Sequence, residues 1–441
     1  MIIVPYAAGG SASPTETARA CAPYGGPVFV VGTSSPLDEQ ARTVLARAGR
    51  VIVSDDPAEV IALLADTPVD GVVTFADAAL EVAAGLAELL GLPYHTPRTA
   101  ALLRDKSAQR RRLNEAGVGH VPVVWSGPGA ELIPFGPGAY PVVLKPRNGA
   151  GSEQCMILEG PESHRTAAAQ LDPAREYVAE GYIPDGAPLA RHLANFLSVE
   201  SAVHDGHIVH LGISGRLPLA PPVRESGCVF PAPLCPTTAA QVTALASRAI
   251  RALDITLGMI HTEIKLAPEG PEIIEVNGRL GGYFGVLMPL VGLAEPVALA
   301  VRIAAGGPPP EPRTAEGSAL VLLRQPPMEA RTVLRAPATR DVVAMPGVVR
   351  AKQWARMGSP LDWRVGTAGM VLQVWMRGAD WSGLSSDYVQ LTDFLDRSLS
   401  YGYASDGDAG DGDAGDGDAG DGHANDTGTA PVHDISEGIR G

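Results

Sequence analysis

Residues 259–285 read MIHTEIKLAPEGPEIIEVNGRLGGYFG, and the reading of the whole chain turns on this stretch. Two alternating runs flank Ala267-Pro268-Glu269-Gly270-Pro271, a cluster that favours a turn, so a hairpin is expected. With the turn centred on Glu269, Glu263 faces Glu275 and His261 faces Asn277. Side chains on a strand return to one face every second residue. His261, Glu263 and Lys265 therefore share a face, as do Ile273, Glu275 and Asn277, and Arg279 extends it. Two carboxylates directly opposite each other repel, and a cation between them turns that cost into a site. Oxygen-only ligands at this spacing suit Mg²⁺ held jointly with phosphates.

Working outward, Tyr140–Leu158 (YPVVLKPRNGAGSEQCMIL) carries an apolar strand that ends on Lys145, a glycine-rich turn over Asn148–Ser152, and a return strand. Small residues let backbone N–H groups approach phosphate oxygens, and Lys adds a point charge. The pattern is not a P-loop, because GxxxxGK[ST] is absent. Leu103-Arg104-Asp105-Lys106-Ser107 leads into an Arg-rich helix that Gly117 stops. Glu176–Pro184 (EYVAEGYIP) is a β-rich stretch whose backbone could serve an adenine edge.

Residues 1–95 alternate strands (Met1–Tyr6, Val28–Gly32, Val51–Val53, Gly71–Phe75) with helical segments at 14–21, 36–48, 57–65 and 77–90. That alternation implies a parallel, Rossmann-like sheet. No GxGxxG follows the first strand, so a dinucleotide site is unsupported. From about Arg98 the texture becomes α+β, with a helix at 237–253, and AGGPPPEP at 305–312 reads as a domain edge. Residues 317–401 return to mixed strand and helix, the last helix lying near 386–399.

The 441 residues carry 34 Lys and Arg against 49 Asp and Glu, a formal charge of −15. Most of that excess lies beyond Gly402, in a tail built on a repeated Asp-Gly-Asp-Ala-Gly unit. The composition of 403–441 reads as a disordered, solvating tail, and the EF-hand and β-roll calcium patterns are both absent. The rest is only mildly acidic, which disfavours nucleic-acid binding by a broad basic face. No apolar run reaches the length of a membrane span, and the N-terminus lacks the basic region of a signal peptide. The four cysteines show no zinc-site spacing and read as reduced thiols of a cytoplasmic protein. His204, His207 and His210 surround a turn rather than form a ligand set, and the absence of GxSxG leaves hydrolase chemistry without support. Only four cations are lysines (Lys106, Lys145, Lys265, Lys352), so each marks a place where a compact ammonium was retained over Arg.

Together and in this order, these segments resemble the ATP-grasp superfamily and its carboxylate–amine ligases, most closely the L-amino acid ligases that make dipeptides, and more distantly biotin carboxylase. The resemblance implies α/β and α+β architecture: a Rossmann-like domain at 1–97, an ATP-grasp domain at 98–310 with a lid at about 120–184, and a carboxylase-like C-terminal subdomain at 311–402. It implies Lys106 and Lys145 as the ATP-phosphate lysines and Gly149, Gly151 and Ser152 as the lid loop. Glu180, Gly181, Tyr182 and Ile183 match the adenine segment. Glu263, Glu275 and Asn277 match the Mg²⁺ ligands, two ions being expected and Mn²⁺ an alternative. Arg279 matches the arginine on the transferred phosphoryl group, Tyr283 a residue that limits the amino-acid pocket, and Glu225 a substrate-binding acid. The family's ribose glutamate is replaced by Phe196, with Glu200 as a substitute.

The implied reaction is ATP-dependent: a carboxylate becomes an acyl phosphate and a small-molecule amine displaces phosphate. Carboxy- or carbamoyl-phosphate formation from bicarbonate, or nucleotide binding without catalysis, are the alternatives. The resemblance leaves a homodimer open as the assembly.

Overall fold

The computed structural model describes residues 1–403 apart from Pro36, Asp66, Pro310 and Pro312; the acidic repeat falls outside the described residues. At the N-terminus β1 (Ile2–Pro5), β2 (Pro27–Val31), β3 (Arg50–Val53) and β4 (Gly71–Val72) form a parallel sheet in the order β3-β2-β1-β4. β1 and β2 are buried throughout, which is what strands covered on both faces require. The helix expected from Pro36 begins instead at Glu39, where the Asp38 carboxylate accepts from the Ala41 N–H. The segment expected over 77–90 divides into a 3₁₀ turn, Asp77–Ala79, and the helix Leu80–Leu90, which stops at left-handed Gly91.

A second sheet joins β5 (Val123–Pro128), β6 (Val142–Pro146), β7 (Met156–Leu158) and β8 (Glu176–Gly181) in the order β5-β8-β6-β7. The largest sheet contains β9 (Phe196–His204), β10 (His207–Arg216), β11 (Gly227–Phe230), β12 (Gly258–Ala267), β13 (Gly270–Asn277), β14 (Ser318–Arg324), β16 (Val348–Gln353) and β17 (Leu372–Gly378). Its order is β13-β12-β9-β10-β11-β14-β17-β16. β15 (Ala330–Arg335) pairs separately with β18 (Ser400–Tyr403).

The expected division near residue 310 therefore does not coincide with a break in the sheet. β11 pairs with β14 from Gly227↔Leu322 to Phe230↔Ala319, so the C-terminal strands continue the central sheet. The helix Pro236–Ala252 covers one face: Val242, Leu245, Ala246, Ala249 and Ile250 pack in one cluster with Val199, Val203, Ile260, Ile264 and Ile273. This packing holds β9, β12 and β13 as a rigid platform. Among the described residues no helix is long and apolar enough to cross a membrane.

The β11–β14 junction rests on Gly227, which has φ +136° and whose added Cβ would stand 2.0 Å from the Val321 carbonyl oxygen. Gly227→Ala is expected to cost roughly 3 kcal/mol, from backbone strain and lost ladder pairing, and to lower the urea midpoint accordingly. An unchanged midpoint would show that this junction does not contribute to stability.

Candidate active site

The β12–β13 hairpin positions the two facing carboxylates, by a route the sequence did not reveal. Its turn is Pro268-Glu269, half a residue short of the expected centre, so Lys265 pairs with Glu272 and Ala267 with Gly270. An irregularity between Glu263 and Ile264 then inserts Ile274 as an extra residue on β13. Beyond it the pairs are Glu263↔Glu275, Thr262↔Val276 and His261↔Asn277. Without that bulge Glu263 would face Ile274, and the acids would lie on opposite faces.

The bulge is held from outside. β13 is the sheet edge, and the helix Lys106–Glu115 covers it. Arg110 donates from Nη1 to the Ile273 carbonyl (2.7 Å) and from Nη2 to the bulged Ile274 carbonyl (2.6 Å). Gln109 acts as a missing neighbour strand, donating to Val276 O and accepting from Val276 N, both at 2.8 Å. Asp105 caps this helix through the Ser107 and Ala108 N–H groups and is also paired with Arg147. Lys106 is thereby fixed with Nζ 3.1 Å from Glu275 Oε1 and 2.6 Å from the Gly149 carbonyl.

Lys145 Nζ lies 2.9 Å from Glu180 Oε2, which Arg110 Nη2 also approaches at 3.3 Å. Burial alone would neutralise this pair. The Coulombic attraction of Glu180 and Glu275 outweighs it and raises the Lys145 pKa, while Lys145 and Arg110 hold Glu180 below its ordinary value. Glu180 thus turns inward as a counter-ion rather than presenting its side chain to an adenine. Of the backbone groups in that segment, the Gly181 N–H donates to Pro122 O and the Ile183 carbonyl accepts from Lys265 Nζ at 2.7 Å. Lys265, expected beside Glu263, instead reaches this segment, packing over the Tyr182 ring and pairing with Asp185. The Ile183 carbonyl keeps a second lone pair for another donor.

Beneath the carboxylates lies a buried charged cluster. His261 donates from Nδ1 to Glu200, and its Nε2 lies 3.2 Å from Glu263 Oε1. Glu200 is fully buried and also accepts from the Gly281 N–H, so it supports His261 and has no exposed surface for a ribose. Arg216 Nη1 donates to Glu225 Oε1 at 2.7 Å, while its Nη2 stands 4.0 Å from Glu263 and 3.1 Å from His261 Nε2. Glu225 is therefore tied to the carboxylate strand through Arg216. Tyr283 is half-buried nearby, its hydroxyl pKa pushed well up by burial and by Glu225. Arg279 gives Nε and Nη2 to Asp77 Oδ2, at 2.9 and 2.6 Å, so the N-terminal region pins it.

Glu263 and Glu275, with Asn277 on the same face as Glu275, form an all-oxygen donor set. Among the described residues no three His, Cys, Asp or Glu side chains stand close enough to hold a metal by themselves. Such a set fits Mg²⁺ that draws its remaining ligands from phosphates and water, rather than a cage made by the protein alone.

Two family models match: the ATP-grasp N-terminal domain over residues 30–94 and the ATP-grasp domain over 138–286. This chain carries an ATP-grasp domain. It is 27% identical to carnosine synthase 1 of Gallus gallus over 240 residues, 49% of this chain and 25% of that protein. The chain spans about a quarter of the length of the curated carnosine synthases it matches. The L-amino acid ligase of Bacillus licheniformis superposes with TM-score 0.68 at 20% identity, covering 92% of this chain and 98% of that one. The biotin carboxylase domain of Hydrogenobacter thermophilus 2-oxoglutarate carboxylase, solved with MgADP and bicarbonate, gives TM-score 0.60 at 16% identity over 91% and 90% of the two chains.

Sequence reasoning missed three residues of this site, Asp77, Arg110 and Arg216, and the supporting role of Glu200. Arg110 carried a signal, since Lys106, Gln109 and Arg110 fall at i, i+3 and i+4 of one helix face. Asp77 lies 202 residues from Arg279, and no local pattern joins them.

The buried cluster makes stability pH-dependent. Burial disfavours charged His261, but Glu200 and Glu263 outweigh it and raise its pKa to about 9. The folded state therefore holds a proton that the unfolded chain releases near pH 6.5. The resulting stabilisation, roughly 3 kcal/mol, is complete below about pH 6.5 and is lost as pH rises through about 9. Urea midpoints of the metal-free protein should fall over that window, and His261→Gln should flatten the fall. An equal slope in the variant would overturn the assignment.

Proposed function

We propose that the chain is an ATP-dependent carboxylate–amine ligase of small molecules, forming an amide and releasing ADP and phosphate. The observation that carries the reading is Glu263 set opposite Glu275, flanked by Lys106 and Arg279, with Lys145 on the adjoining lid sheet. The kinship with an amino-acid ligase fold and with part of carnosine synthase supports it.

ATP with bound Mg²⁺ or Mn²⁺ supplies the phosphoryl group that converts a carboxylate, whose charge repels nucleophiles, into an acyl phosphate. Glu263, Glu275 and Asn277 would hold the metal, which would neutralise charge on the phosphates. Lys106 and Lys145 neutralise phosphate oxygens, and Arg279, oriented by Asp77, attracts charge developing on the transferred group. Gly149, Gly151 and Ser152, in the lid at about 120–184, cover the phosphates and exclude water. Tyr182 and Ile183 border the adenine. Glu225 and Tyr283, beside Arg216, border the acid and amine and favour an amino-acid substrate. The unpaired state of Cys21, Cys155, Cys228 and Cys235 suits a cytoplasmic setting.

Turnover should require an acid and an amine together and yield ADP, phosphate and amide, followed by coupled phosphate release and mass spectrometry across acid–amine pairs. Glu275→Ala should lower it by about 10²- to 10³-fold. AMP as product would sink the reading, and turnover driven by bicarbonate alone would replace it with carboxy-phosphate formation.

A further inference from the structure

The lid loop does not stand alone over the site. The loop Trp363–Gly369, between β16 and β17, meets it on one side: the Thr367 N–H donates to Gly151 O at 2.8 Å, and the Gln154 N–H donates to Arg364 O at 3.1 Å. The fit is close. Gly366 has φ +68°, and an added Cβ would stand 2.3 Å from Gly151 O and 2.6 Å from Glu153 N. On the loop side, Ser152 and Gln154 occupy left-handed backbone at φ 58° and 48°, a conformation that needs support from its surroundings.

The other side of the same loop meets Glu225. The Thr367 hydroxyl accepts from the Glu225 N–H at 3.2 Å. Gln325 Nε2 donates to both the Glu225 carbonyl (2.9 Å) and the Thr367 carbonyl (3.1 Å), tying the two backbones together. Thr367 is buried, and Glu225 continues through Arg216 to Glu263. One residue thus touches the lid loop with its backbone and the Glu225 strand end with its side chain.

We propose that the loop Trp363–Gly369 is a latch for the closed lid, and that Thr367 is a positioning residue coupling lid closure to Glu225. The proposal deepens the ligase reading and rests on it for its catalytic consequence. In the coupled reaction the amine nitrogen attacks the acyl carbon, the carbon–oxygen bond to phosphate breaks, phosphate departs and the nitrogen loses a proton. With the lid unlatched, water attacks the same carbon, phosphate departs by the same cleavage, and the carboxylate is regenerated with loss of a proton. The latch therefore governs how much phosphate is released per amide formed.

Three full-length variants separate the two contacts. Gly366→Ala obstructs the lid contact, Thr367→Val removes only the hydroxyl link to Glu225, and Thr367→Ser retains both. The first readout is tryptic cleavage after Arg147, at the base of the lid loop, with and without MgADP; the second is the ratio of phosphate to amide. Gly366→Ala should accelerate cleavage and raise the ratio by about fivefold, the equivalent of about one hydrogen bond. Thr367→Val should keep wild-type protection and raise the KM of one substrate about fivefold with kcat nearly unchanged. Thr367→Ser should restore wild-type behaviour. Wild-type protection and ratio in a folded Gly366→Ala protein would overturn the latch, and a wild-type KM in Thr367→Val would overturn the coupling. If Gly366→Ala does not fold, Thr367→Pro, which removes the N–H donated to Gly151 O, replaces it in the cleavage arm with the same expected gain. Failure of the ligase reading appears separately, as no amide from any pair in the wild type, and the proteolysis arm still decides the latch.

Discussion

Two carboxylates fixed across a hairpin repel, and the rest of the site is arranged around supplying each with a cation. Glu275 has Lys106, and Glu263 has His261 with Arg216 behind it. The same rule extends outward: Lys145 is balanced by Glu180, Arg279 by Asp77, and Arg216 by Glu225. Because burial removes water as a screen, an unpaired member would cost several kcal/mol, so these pairs act as one unit. A change at one of them is transmitted to the next through a shared partner.

That arrangement depends on a single inserted residue. The bulge at Ile274 brings Glu275 opposite Glu263, and Arg110 captures its carbonyl while also touching Glu180. One guanidinium therefore links the register of β13 to the counter-ion of Lys145. An edge strand left open would be free to slip, and a slip of one residue would send Glu275 to the opposite face. Covering the edge with the Lys106 helix removes that freedom and delivers Lys106 in the same step.

Much of this was legible in the chain. The pairing of Glu263 with Glu275 and of His261 with Asn277 follows from local pattern, while Lys106, Lys145 and the glycine loop were marked by the scarcity of lysine and by the resemblance. The facing pair was inferred from a turn placed half a residue too far along, and the bulge compensated for that displacement. What escaped notice were contacts without a period: Asp77 with Arg279, Arg216 between Glu225 and Glu263, and β14 completing the central sheet. Glu200 and Lys265 had the right residue types for ligand contact, but burial turned one towards His261, and Tyr182 and Asp185 drew the other away. Residue type indicates what a group can do; only packing decides which neighbour it meets.

The intrachain pairs also bear on how a site of this design accepts a polyanion. Lys106 is shared between Glu275 and the Gly149 carbonyl, and Lys145 is held by Glu180. Under the ligase reading, Glu275 would hold the cation that accompanies the phosphates, and Lys106 would turn from Glu275 to phosphate oxygen. Charge is redistributed among groups already positioned, so little reorganisation accompanies binding, the condition under which fixed charges contribute most to phosphoryl transfer. The Gly149 carbonyl released by Lys106 lies in the loop whose next glycine is bonded to Thr367, so ligand binding and the seating of the lid act on the same few residues.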